Sequence, residues 1–119
     1  SHSMKIRDFY KSIGGDYDEM FRRIPCDSII ERFLLKFPAD PSYAALAAAR
    51  EKRDPESAFL AAHTLKGVAA TLGLKELAEA AARLTDALRS PSGFPDDALF
   101  DAAAMAYDRV LTQIAALLR

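Results

Sequence analysis

Apolar residues recur at three- and four-residue spacing along almost the whole chain, and no stretch alternates apolar with polar as a half-buried strand does. The pattern predicts helices throughout. A short leading helix over residues 4–12 stops at Gly14-Gly15. A second, over 16–23, ends ahead of Pro25, because the residue before a proline is biased out of the helical region. Asp27 reads as the N-cap of a helix over 28–37 whose inward stripe is Ile29, Ile30, Phe33, Leu34 and Phe37. Asp40-Pro41 and Asp54-Pro55 repeat a cap-then-proline start signal and open helices over 42–52 and 56–72. Gly73 supplies the left-handed residue that ends the latter. A helix over 75–89 turns Leu77, Ala81, Leu84 and Leu88 inward. After the loop Ser90-Pro91-Ser92-Gly93, Pro95-Asp96-Asp97 opens the last helix, whose stripe is Leu99, Ala103, Ala106, Val110, Gln113 or Ile114, and Leu117. Short connections make neighbouring helices antiparallel. The predicted fold is all-α: an antiparallel four-helix bundle with short additional N-terminal helices, forming a single domain over 4–119.

The helix over 56–72 carries the chemistry. At about 100° per residue, Ala58, Ala61, Leu65, Val68, Ala69 and Leu72 gather on one side. His63 points almost directly away from them, Lys66 and Gly67 flank it, and Glu56 and Ala70 lie above and below. A core helix buries one stripe and wets the other, so His63 is predicted to stand in water. Imidazole is nucleophilic as the neutral base and carries a phosphoryl group reversibly. Phosphoryl transfer asks the protein mainly for positioning and charge stabilisation. Lys66, three residues on, reaches phosphoryl oxygens as a cationic donor. Gly67 costs roughly 0.5–1 kcal/mol relative to alanine inside a helix. On the outer face its presence is better explained by leaving room for a partner than by stability.

The run Ala62-His63-Thr64-Leu65-Lys66-Gly67-Val68-Ala69-Ala70 resembles the phosphorylation-site signature of histidine-containing phosphotransfer (HPt) domains, the carriers of two-component phosphorelays. That signature is a histidine, a lysine three residues on, a glycine directly after it, and small or apolar residues around. The resemblance continues into Ala69-Ala70-Thr71-Leu72-Gly73-Leu74, and more loosely over the helical pattern of the whole chain. It implies a helical bundle with the histidine midway along an exposed helix. It also implies that His63 exchanges a phosphoryl group with the aspartate of a response-regulator receiver domain, and that a sensor or hybrid histidine kinase lies upstream. The receiver would supply the catalytic groups and Mg²⁺, and this chain would bind no cofactor or metal. Docking would use an apolar patch beside the histidine, for which Glu56, Phe59, Leu60, Ala70 and Leu74 are the candidates here.

Composition narrows the alternatives. The 119 residues are half hydrophobic, rich in alanine and hold five glycines. Sixteen basic and 17 acidic residues leave a net charge of −1, which gives no footprint for nucleic acid or a membrane surface. One cysteine, Cys26, excludes an internal disulfide and fits a reducing compartment. A cytoplasmic monomer is the expectation, because no signal peptide or membrane span is visible. Ser1-His2-Ser3 reads as an expression remnant ahead of Met4 and is left out of the functional argument. There is no Gly-rich phosphate loop, so no nucleotide site, and the chain lacks the machinery of a kinase. Two other readings compete. One is a helical interaction module that binds or sequesters a signalling partner without phosphotransfer. The other is a kinase dimerisation element, which would normally precede a nucleotide-binding domain.

Overall fold

A computed structural model describes residues 5–90 and 93–118. Every regular element among them is helical: α1 (Ile6–Ser12), α2 (Tyr17–Arg23), α3 (Asp27–Lys36) running into a 3₁₀ turn (Phe37–Ala39), α4 (Ser42–Lys52), α5 (Pro55–Thr71), α6 (Lys75–Arg89) and α7 (Asp97–Leu117). The all-α expectation holds. Met4, with the three residues before it, and Pro91 and Ser92 of the expected loop lie outside the described residues.

Helices α4 to α7 form the bundle. α5 packs on both α4 and α6, and α6 packs on α7. Cross-helix pairs fix the directions. Phe59 near the start of α5 meets Arg89 at the end of α6, and Glu76 at the start of α6 pairs with Arg109 late in α7. Tyr43 at the start of α4 stacks on Tyr107 of α7 at 3.9 Å, while Arg50 further along bonds to Asp97 and Asp101 at the beginning of α7. Neighbours are therefore antiparallel. The core between them holds Leu65, Leu77, Leu84, Val110 and Ile114, interleaved with Ala58, Ala62, Ala69, Ala81 and Ala103. Each fully buried Leu contributes roughly 1.5–3 kcal/mol relative to exposure.

Both ends of α5 are made locally. Asp54 is the N-cap: its carboxylate accepts from the Ser57 backbone N–H at 3.2 Å and from the Ser57 hydroxyl at 2.8 Å, and Pro55 follows at the first helical position. At the other end the Leu74 N–H donates to the Ala69 carbonyl at 2.9 Å and the Gly73 N–H to Ala70 at 3.1 Å, with Gly73 at φ +71°. That is a Schellman motif, which needs its left-handed residue.

α1 and α2 close over this C-terminal end. The buried Tyr10 hydroxyl donates to the Leu72 carbonyl at 2.7 Å, and Arg23 donates to the Ala70 carbonyl at 3.4 Å. Gly15 sits so near that a Cβ there would lie 2.7 Å from the Gly73 carbonyl oxygen. Gly14-Gly15 thus stops α1 and also permits the close approach of two turns.

Several expected positions shift. Asp27 is the first residue of α3, with Cys26 in the N-cap place: the Ile30 N–H donates to the Cys26 carbonyl at 3.1 Å, and the Asp27 carboxylate accepts from the Tyr17 hydroxyl at 2.6 Å instead of capping. Ile29 and Phe33 were expected to be buried and are 39% and 42% exposed. α3 lies at the margin of the bundle, where Ile30, Leu34 and Phe37 suffice to seat it. On α7, Phe100 is buried and Leu99 only half so; Ile114, rather than Gln113, faces the core. On α5, Ala62 joins the buried arc, and Val68 is only half-buried, beside Phe33 and Phe37 in the space between α3 and α5.

Candidate functional site

His63 lies midway along α5 and is exposed, as are Thr64, Gly67 and Ala70, while Ala58, Ala61, Ala62, Leu65 and Ala69 are buried. The helix phase expected for His63 and Gly67 is therefore the phase observed. Lys66 is half-buried, because its stem lies along a groove shared with Ala70 and with Ala78, Glu79 and Ala82 of α6. Among the described residues no ion pair or side-chain hydrogen bond engages His63 or the Lys66 ammonium. Side chains three apart on a helix have Cβ atoms about 5–6 Å apart, so this ammonium can swing to an anion carried on His63.

A Cβ placed on Gly67 would meet nothing within 4 Å. Close packing inside the molecule does not explain that glycine, and neither does backbone conformation, since it sits inside a regular helix. Gly67→Ala is accordingly expected to raise the unfolding free energy by about 0.5–1 kcal/mol. Urea melts on the parent and the variant check this, and a variant no more stable than the parent would show that the fold itself requires the glycine.

Two grooves flank the exposed crest of α5. One runs along α6 and is lined by Pro55, Glu56, Phe59, Leu60, Leu88 and Arg89. Leu60 on its rim is 64% exposed. The other runs between α3 and α5 and includes Phe33, Lys36, Phe37, Thr64, Gly67 and Thr71. Of the residues expected to meet a partner, Glu56, Phe59 and Leu60 line the first groove, and Ala70 is exposed one turn beyond Lys66. Leu74 is a correction: it is fully buried, because the chain reverses at Gly73 and turns the side chain into the core at the start of α6.

Phe33 is the site-facing residue that the sequence pattern missed. Its place in the apolar stripe of α3 predicts burial, yet it is 42% exposed in the groove containing Gly67. Its signal was an apolar arc on α3 broader than one packing contact covers. Cys26 is half-buried, with Sγ 3.3 Å from the Ser28 hydroxyl, a contact that holds the thiol below its ordinary pKa.

The family model described as Hpt domain matches residues 29–118, which includes α5 and all the residues lining both grooves. Searches among curated proteins and among solved structures found no match.

Proposed function

This chain belongs to the Hpt domain family, and from that premise we propose that His63 is the residue through which it passes phosphoryl groups. Hpt domains serve phosphotransfer in two-component signalling and meet kinase and receiver domains there. The observation that carries the assignment is the open crest of α5: an exposed imidazole, an unengaged Lys66 one turn on, and a Gly67 beside it with empty space above.

In the proposed reaction a ring nitrogen of His63 attacks the phosphorus of an aspartyl phosphate. The N–P bond forms as the P–O bond to the aspartate breaks, and the carboxylate leaves with the bonding pair. The reverse step hands the group to another receiver aspartate. Lys66 offsets the charge on the three phosphoryl oxygens. Gly67 and Phe33 leave and line the space the receiver enters, and Glu56, Phe59, Leu60 and Ala70 complete the contact. Mg²⁺ belongs to the receiver in this reading. In this reading the chain acts as a monomeric phosphoryl carrier in the cytoplasm rather than as an independent enzyme. Among the described residues no helix is long and apolar enough to cross a membrane.

The test is transfer from a receiver domain charged with a small phosphodonor and freed of it. Label should move to this chain as an acid-labile, base-stable adduct, and chelating Mg²⁺ should stop that movement. A panel of charged receivers that bind the α5 face without transferring would favour the interaction module instead.

A further inference from the structure

The geometry points to Phe59 as a positioning residue for His63, a role that rests on His63 being the phosphoryl acceptor. One turn before the histidine on α5, the Phe59 ring lies parallel to the imidazole, with centroids 6.0 Å apart and planes within 7°. The separation is inside the range at which aromatic pairs attract. Phe59 is itself anchored: it is half-buried against the core, and the Arg89 guanidinium of α6 packs over its ring at 5.5 Å from the centroid. Arg89 in turn bonds to Asp86 at 2.6 Å. A chain of contacts thus runs from α6 through Arg89 and Phe59 to the reacting ring.

An exposed histidine otherwise samples several staggered rotamers. Transfer in line with the P–O bond requires one ring orientation, and holding a reactant in that orientation supplies part of the rate. The stack selects an orientation before any partner arrives. Phe59 lies beside the nucleophile's ring and would act through His63.

Phe59→Leu, Phe59→Tyr and Arg89→Gln test this. The His63 ring-proton shifts are read by NMR, with His63→Gln assigning them against His2. Phosphorylation rates are read with phosphoramidate and with a charged receiver. Phe59→Leu should move the ring-proton shifts towards those of an unstacked histidine and slow both reactions by about three- to tenfold. Phe59→Tyr should restore shifts and rates, and Arg89→Gln should fall between. Unmoved shifts with unchanged rates, or a rate loss that Tyr does not restore, would overturn the positioning role alone. A parent protein that takes up no phosphoryl group from either donor overturns the acceptor assignment, and this role with it.

Discussion

Replacing His63 by glutamine should abolish uptake of a phosphoryl group from a charged receiver and leave the bundle intact. The side chain is exposed and sits on the crest of α5, and among the described residues its aromatic neighbour is Phe59. Exposed substitutions of this kind usually change the unfolding free energy by no more than about 0.5 kcal/mol, and glutamine is at least as good a helix former as histidine. The glutamine amide is not a nucleophile, so the N–P bond has no atom to form on. Transfer assays and urea melts on the two proteins separate the effects. Binding of the receiver should survive the substitution, because the grooves beside α5 do not depend on the imidazole. A His63→Gln protein that is still phosphorylated would move the acceptor elsewhere, and one that unfolds would show a structural role that its exposure does not suggest.

The largest expected loss of stability comes from Tyr10, in a segment that precedes the matched family region. Its ring is fully buried, stacked edge-on against Phe9 at 5.2 Å, and its hydroxyl satisfies the Leu72 carbonyl at the end of the site helix. Tyr10→Ala should cost about 3–5 kcal/mol, the usual range for truncating a large buried aromatic. Tyr10→Phe keeps the ring and orphans the carbonyl, which costs about 1–3 kcal/mol.

Alkali should separate these proteins further. Burial pushes the Tyr10 hydroxyl well above its ordinary pKa of 10.0, so the folded state favours the protonated form. That contribution is complete below pH 10 and is lost as the pH rises from there towards the folded value, because the unfolded chain ionises first. Between pH 9 and 11 the parent should lose more stability than Tyr10→Phe does. Tyr17, Tyr43 and Tyr107 are shifted in the same direction, so a shared residual loss remains in both. Urea melts at the two pH values check the difference, and identical losses would show that the Tyr10 hydroxyl is not protected by the fold.

The parts of this molecule that were legible in the sequence are those fixed within a few residues. Asp54-Pro55 starts α5 because its cap partner, Ser57, lies three residues away. Gly73 ends it through bonds to Ala69 and Ala70. The phase that exposes His63 and Gly67 follows from helical geometry alone. Features that depend on another element were not legible. Asp27 sits one place inside α3, and its carboxylate accepts from Tyr17 on a different helix instead of capping. Ile29 and Phe33 belong to an apolar arc like any core stripe, and their exposure follows from the marginal seat of α3. Leu74 looked like part of the rim beyond Ala70 until the reversal at Gly73 turned it inward. The Phe59–His63 stack depends on two rotamers and on an arginine from α6, which no spacing rule encodes.

The central claim, that His63 carries the phosphoryl group, is tested most directly by intact-mass measurement after treatment with phosphoramidate, on the parent and on His63→Gln side by side. The account predicts a single acid-labile phosphoryl adduct on the parent and none on the variant. An adduct of equal yield on both proteins would contradict it, as would a parent that takes up nothing from phosphoramidate or from any charged receiver.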